Sequence, residues 1–333
     1  MTAGGASTLQ LPGTSPDLVA TLARDVARVE EFIASAVNAD DPFIAEASGH
    51  LFQAGGKRFR PMLTVLCAQL GDGANDDVIA AAAAVELTHL ASLYHDDVMD
   101  EADLRRGAPS ANARYDNSTA ILVGDLLFGT ASSIVADLGA QAVKIQAETF
   151  VRLCAGQIRD ARPRPAGVEP IDYYLGVLAD KTGVLIATAA RYGAMFSGCS
   201  EETIRVLTEY GERLGVVFQL ADDLMDVAAQ GTSGKAAGTD LREGVDTLPT
   251  LYVRQAADPG DARLLELLDA DLRDPGLHAE ALALLRAHPA MERAAQRTRD
   301  YAHAAQALLD PLGDTDVTRA LRALTGSVVD RAV

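Results

Sequence analysis

From Asp17 onward the apolar positions recur three and four residues apart, the signature of amphipathic helices. Ala- and Leu-rich runs alternate with Gly, Pro and Asp breaks, and the clearest are Val78 to Met99, Ser118 to Leu138, Ile145 to Arg159, Ile204 to Val227 and Pro275 to Ala287. Alternating β-branched runs are missing, so the pattern predicts an all-α protein rather than an α/β sheet. Polar, Gly- or Pro-containing loops are expected near Gly71–Asp77, Arg162–Pro170 and Gly231–Asp246. They are short for linkers, which favours a single helical bundle over successive domains. The opening MTAGGASTLQLPGTS is small and polar, with neither the basic start nor the apolar core of a signal peptide. Residues 1–16 are therefore expected to be a disordered tail and 17–333 one folded domain.

Two of these helical runs carry the chemistry. HDDVMD and ADDLMD place carboxylates at i, i+1 and i+4: Asp96, Asp97 and Asp100, then Asp222, Asp223 and Asp226. On a helix, i and i+4 stack on one face, where like charges repel unless a cation neutralises them. A lone DDxxD is usually a solvated helix face. Here both copies are embedded in stretches apolar enough to be buried, where acids mark function or metal. Oxygen ligands without His or Cys suit Mg²⁺, which completes its shell with water and phosphate. Two clusters facing each other would hold a diphosphate through metal.

Composition narrows the partners. The net charge of −18 and pI near 4.7 exclude nucleic acid as the main one, since phosphate backbones need a basic face. Cys67, Cys154 and Cys199 lack metal or redox spacing, which points to a reduced cytoplasmic setting. No uninterrupted apolar stretch of membrane-spanning length stands out, so no transmembrane segment is expected.

Several of the 29 Lys and Arg stand in conspicuous places. GGKRFRP puts Lys57, Arg58 and Arg60 just after Gly55 and Gly56, which permit close backbone approach. Arg105 and Arg106 follow the first acidic motif in DEADLRRG; Lys181 lies in DKTG and Lys235 in SGKAAGTD. Any one of them alone reads as a surface charge, but arginine forks and mobile lysines together suit phosphate. The GKA segment is not a nucleotide P-loop, because the spacing is wrong and Ala236 stands where a hydroxyl belongs.

In order, GGKRFRP, HDDVMDEADLRRG, GDLLF, KTG, FQLADDLMD and GTDLREG resemble the motifs of the trans-isoprenyl diphosphate synthase (polyprenyl synthetase) family, from about Leu51 to Leu251. The resemblance implies a class I isoprenoid synthase bundle around a central cavity. It implies Mg²⁺ and the allylic diphosphate at Asp96, Asp97, Asp100, Asp222, Asp223 and Asp226, with Arg105, Lys181 and Lys235 on the same diphosphate. Gly56, Lys57, Arg60, His89 and Arg106 match positions that hold isopentenyl diphosphate. Thr182 and Gln219, grouped with Lys181 as catalytic, match polar residues near the developing carbocation. Val245 and Asp246 depart from the family pattern, where many relatives carry a Lys. His95 is left between a structural and a functional reading.

The implied reaction is Mg²⁺-dependent prenyl transfer from an allylic diphosphate to isopentenyl diphosphate by a cytoplasmic homodimer, with transient membrane contact allowed for product release. Competing readings are a geranylgeranyl or farnesyl diphosphate synthase, a class I terpene cyclase and a non-catalytic synthase subunit. A cyclase would want an aromatic-lined pocket, whereas this chain is 5% aromatic without Trp; a silent subunit would have lost site residues. Ser92, Ala91, Thr88, Ala84 and Ala81 precede Asp96 with no Phe or Tyr on that face, so a tail growing along this helix is expected to reach roughly six to ten isoprene units, as in quinone side chains. Phe128, Ile134 and Leu138 are the candidate floor, and Ala91→Phe is expected to shorten the product.

Overall fold

The computed structural model describes residues 13–228 and 237–332. In chain order its helices begin with α1 (Pro16–Ala36), α2 (Pro42–Gln53), α3 (Phe59–Ala68) and α4 (Asp76–Met99). A two-residue hairpin follows, β1 (Leu104–Arg105) against β2 (Ala108–Pro109), the one sheet among the described residues. Next come α5 (Ala111–Arg114), α6 (Asn117–Asp137), α7 (Ala140–Asp160), α8 (Pro170–Leu178), α9 (Val184–Phe196) and α10 (Glu201–Ala228). The series ends with α11 (Thr239–Glu243), α12 (Leu248–Ala256), α13 (Ala262–Leu268), α14 (Pro275–Ala287), α15 (Pro289–Ala307) and α16 (Asp316–Val329).

Helix starts follow local chemistry. Asp41, Glu169 and Asp274 each cap a helix with the side chain, and each precedes a Pro whose missing N–H costs nothing at the first helical position. Asn75 caps α4 by accepting from the Val78 amide.

The described residues gather into two compact units interleaved along the chain. One holds the described residues up to Val151 with Leu185–Gly211 and Leu312–Leu321. Within it α4 packs chiefly on α6 and also on α3 and α1, burying Leu63, Leu66, Leu87, Leu90 and Tyr94. The other holds Arg152–Val184, the described part of Glu212–Pro311 and the residues from Arg322. Its core joins Leu220 and Leu224 of α10 to Leu251, Leu267 and Leu285.

Three expectations need correction or fall outside. The predicted loop Gly231–Asp246 contains the short helix α11, while its residues 231–236, Lys235 among them, lie outside the described residues, as does most of the predicted tail. A spanning-length apolar stretch was not expected, yet α4 and α6 are both long and apolar enough by composition. In α4 72% of that window is buried inside the fold, the mark of a core helix, against 33% in α6.

Candidate active site

The first acidic motif ends α4, where its three acids have three different environments. Asp97 is fully buried and its Oδ1 accepts from Arg105 Nε at 2.5 Å. Asp96 is half-buried, and Asp100, the helix C-cap, is exposed with Arg105 Nη2 4.0 Å from its carboxylate. Burial pushes the Asp97 carboxyl pKa upward and the Arg105 cation opposes that shift. Arg105 is delivered by β1, and Arg106 sits in the left-handed region (φ 55°) at the hairpin turn.

Arg106 turns back onto the glycine loop, its guanidinium donating to the carbonyls of Leu51 and Gly55. Gly56 takes φ 147°, a conformation that favours glycine, and a Cβ there would come within 2.9 Å of that guanidinium. Arg58 caps α3 in the left-handed conformation and pairs with Glu30 at 2.8 Å and with buried Glu86 at 3.5 Å. Arg60, next along α3, has its pKa lowered to about 10, chiefly by burial, with Glu86 opposing and Arg106 reinforcing. Its Nε is buried with no hydrogen-bond partner among the described residues. His89 on α4 is held neutral: burial first, then Arg60 and Arg106, drive its pKa well below 6.5. Lys57 is exposed at the loop's edge. Arg60 and Arg106 thus lie close enough to His89 to act on it electrostatically, and Arg106 packs on Gly56, all within the unit that carries the first motif.

His95 belongs to the frame. Its Nε2 lies 3.2 Å from the Ile121 carbonyl and 3.3 Å from Asp125, and a Cβ at Gly124 would fall 2.3 Å from the ring. The glycine of GDLLF therefore gives this imidazole its seat, which favours the structural reading.

In the other unit, Ala179–Gly183 (ADKTG) forms one turn of π-helix, a local widening common at functional sites. It presents Lys181 and Thr182. Gly183 backs the turn on Gly215 of α10, where a Cβ would come within 2.5 Å of the Gly183 Cα. Lys181 Nζ is 2.6 Å from Asp160. Thr182 donates to Gln219 at 3.3 Å, and Gln219 donates to Asp223 at 2.9 Å. The Tyr174 hydroxyl donates to the other oxygen of Asp223. Burial raises the Asp223 pKa to about 6, against these two donors. Asp226 accepts from the Thr239 and Asp240 amides, both at 3.1 Å, so α11 is docked by its N-terminus on the second motif. Asp222 is exposed. Asp240 was overlooked as a site residue, although GTDLREG had been singled out; burial and the acids Asp223 and Asp226 raise its pKa to about 7. Tyr174, Asp160 and Glu86 were also missed, and only their type could have flagged them.

Among the described residues no three His, Cys, Asp or Glu side chains are gathered closely enough to hold a metal unaided. The all-oxygen donor set nonetheless fits Mg²⁺, which takes one or two carboxylates and fills its shell with water and phosphate.

The polyprenyl synthetase family model matches residues 41–285. The chain belongs to the polyprenyl synthetase family. This family member is 48% identical over 308 residues to a nonaprenyl diphosphate synthase of Mycobacterium tuberculosis, with 92% of each chain covered. The crystal structure of geranylgeranyl pyrophosphate synthase from Corynebacterium glutamicum, complexed with calcium and isoprenyl diphosphate, matches with a TM-score of 0.86 at 41% identity, over 96% of this chain and 98% of that one. A decaprenyl diphosphate synthase from Rhodobacter capsulatus matches with a TM-score of 0.85 at 33% identity, over 95% and 99%. The chain is accordingly a prenyltransferase with the all-α isoprenoid synthase fold.

Proposed function

We propose that this prenyltransferase is a Mg²⁺-dependent trans-polyprenyl diphosphate synthase that condenses isopentenyl diphosphate with an allylic diphosphate to give medium or long chains of roughly six to ten units, the helix ahead of Asp96 by itself leaving room for about four or five before any floor. The observation that carries the reading is the buried Arg60 guanidinium beside Arg106 and neutral His89. A cation held against its desolvation cost with a buried donor unpartnered calls for an anionic ligand. That pocket serves a second diphosphate, which a terpene cyclase would not need. The nonaprenyl and decaprenyl synthases among the relatives support the longer product.

In this reading Asp96, Asp100, Asp222 and Asp226 hold the metal, and the buried Asp97 and Asp223 fix the helices that present them. The calcium complex of the Corynebacterium relative supports a divalent ion. When bound, the metal neutralises charge building on the departing diphosphate. Arg105, Lys181 and Lys235 contact that diphosphate, while Lys57, Arg60, Arg106, His89 and the Gly56 backbone orient isopentenyl diphosphate. The allylic C–O bond breaks, the isopentenyl alkene attacks the cation, and the proton lost from the new cation goes to the released diphosphate. Thr182 and Gln219 aim oxygen dipoles at the cation. Residues 17–333 act as one catalytic domain, and the free thiols Cys67, Cys154 and Cys199 support a cytoplasmic setting. A homodimer is supported by exposed apolar side chains on α6 (Ile121, Leu122, Leu126) and on α7 (Val143, Val151). Leu122→Glu should then give a monomer by light scattering. The deciding experiment incubates purified protein with labelled isopentenyl diphosphate, an allylic primer and Mg²⁺, then analyses dephosphorylated products. Full turnover in a chelator, or no chain elongation at all, would defeat the reading.

A further inference from the structure

A narrow cavity of about 10 Å³ lies within the first unit, and its lining includes Ala84 and Thr88 of α4, Val135 of α6, Gln146 and Thr149 of α7, and Thr188 of α9. It lies two to three turns ahead of Asp96: Thr88 and Ala84 are eight and twelve residues earlier, roughly 12 and 18 Å along the helix. Val135 is the α6 residue in its lining, and Phe128, one of the candidate floor residues, is stacked on Phe150 with ring centroids 3.8 Å apart.

The polar groups around this cavity are unequal. Thr88 donates to the Ala84 carbonyl at 2.8 Å, and the Thr149 and Thr188 hydroxyls are 2.6 Å apart and satisfy each other. Gln146 is 6% exposed, and its side-chain nitrogen has no hydrogen-bond partner among the described residues. Buried amides are almost always paired, and an apolar wall of the same volume would avoid the cost. The exception stands where the tail of a chain of roughly four units would arrive beside α4.

We propose that Gln146 is a specificity-determining residue, a polar collar that sets the length at which further elongation becomes harder. This rests on the synthase reading above. The cavity beside the amide is about large enough for one water; a prenyl tail that fills it takes that place and offers the amide no hydrogen bond, so the unit that reaches the collar gains less affinity than those before it. Longer chains pass by displacing the side chain, so the collar biases the product distribution without closing it.

Two measurements test this. In the first, non-reactive allylic thiolodiphosphates of two to six isoprene units compete with substrate for the wild-type enzyme. Affinity should rise with each added unit until the tail meets Gln146, where the gain should fall by about tenfold. A uniform gain along the series would overturn the proposal. In the second, Gln146→Met keeps the volume and removes the amide. Its products should shift to longer chains, and the step in the competition series should vanish. A wild-type distribution from an active Met variant would mean that the residue acts by bulk alone, and the proposal would fail. Should Met destabilise the fold, the wild-type series still decides. A protein with no condensation activity would instead refute the synthase reading, a distinguishable result.

Discussion

The two acidic motifs share the pattern DDxMD and part company in their surroundings. In each, the second acid turns inward. Asp97 is answered by a cation, Arg105, on a hairpin eight residues downstream. Asp223 is answered by neutral donors, Tyr174 and Gln219, and has Asp222, Asp226 and Asp240 about it. The first motif is therefore balanced by Arg105, with Arg106 also in electrostatic reach of Asp97, while the second keeps surplus negative charge, with carboxyl pKa values raised to about 6 and about 7. One sequence pattern thus supplies two kinds of site, one in a cationic setting suited to arranging anions and one suited to drawing in cations.

Breaking either motif at its outer acid should have the largest effect. Asp96→Ala and Asp222→Ala each remove a proposed metal ligand and should lower turnover by about 10³-fold or more, with the far-UV circular dichroism unchanged. The comparison sharpens in the metal titration. Asp222→Ala should weaken Mg²⁺ activation more than Asp96→Ala, because Asp223 is met by neutral donors whereas Asp97 is paired with Arg105. Equal shifts in the Mg²⁺ midpoint would remove that distinction.

The cations should separate by substrate. Each makes charge-assisted bonds worth roughly 1.5–3 kcal/mol, or about 10- to 100-fold in KM. Arg60→Ala should raise the KM for isopentenyl diphosphate and Arg105→Ala that for the allylic diphosphate. Kinetics varying one substrate at a time will reveal whether both act on the same constant, the outcome that would sink the two-site assignment.

Helix periodicity made most of the fold legible. α4 was expected from Val78 to Met99 and runs Asp76–Met99; α14 was expected and is found at Pro275–Ala287. The helix α11 was hidden because TDLRE has too few apolar positions to show a period, and its anchor on Asp226 is a long-range contact. The same limit applies to the site. Residue type and spacing could point to Arg60 and the six acids, and the family resemblance to His89, but neither to Tyr174, Glu86 or Asp160, single polar residues whose meaning depends on which helix lies opposite.

The inner acids differ by less, and in stability. Asp97→Asn removes the close partner of the Arg105 guanidinium, leaving it only the looser Asp100 contact, and should cost about 1–3 kcal/mol, discounted from a buried pair because Arg105 is partly exposed. Asp223→Asn should cost about 1 kcal/mol, since its carboxyl is already raised toward the neutral form and the amide oxygen keeps one of the two donors. Denaturant midpoints of the two variants provide the check, and a larger loss for Asp223→Asn would invert the contrast.

His89 should give the smallest effect and the most specific test of the cationic pocket. With its pKa driven well below 6.5 by burial, Arg60 and Arg106, the imidazole is neutral throughout the working range and can contribute one uncharged hydrogen bond. His89→Gln should then raise the isopentenyl diphosphate KM by about two- to tenfold. The pH profiles of wild type and variant should run parallel from pH 6.5 to 8.5, because no charge is gained or lost at this position. An imidazole titrating at its ordinary value would instead tighten wild-type binding as pH falls, and the profiles would diverge. Stability gives an independent sign. A histidine with a depressed folded pKa leaves the unfolded chain binding more protons below pH 6.5, so its contribution is intact above that value and is lost as pH falls toward the folded pKa. Wild type should therefore lose more stability than His89→Gln between pH 6.5 and 5 in parallel denaturant titrations. Equal losses would mean that the arginines do not govern this histidine.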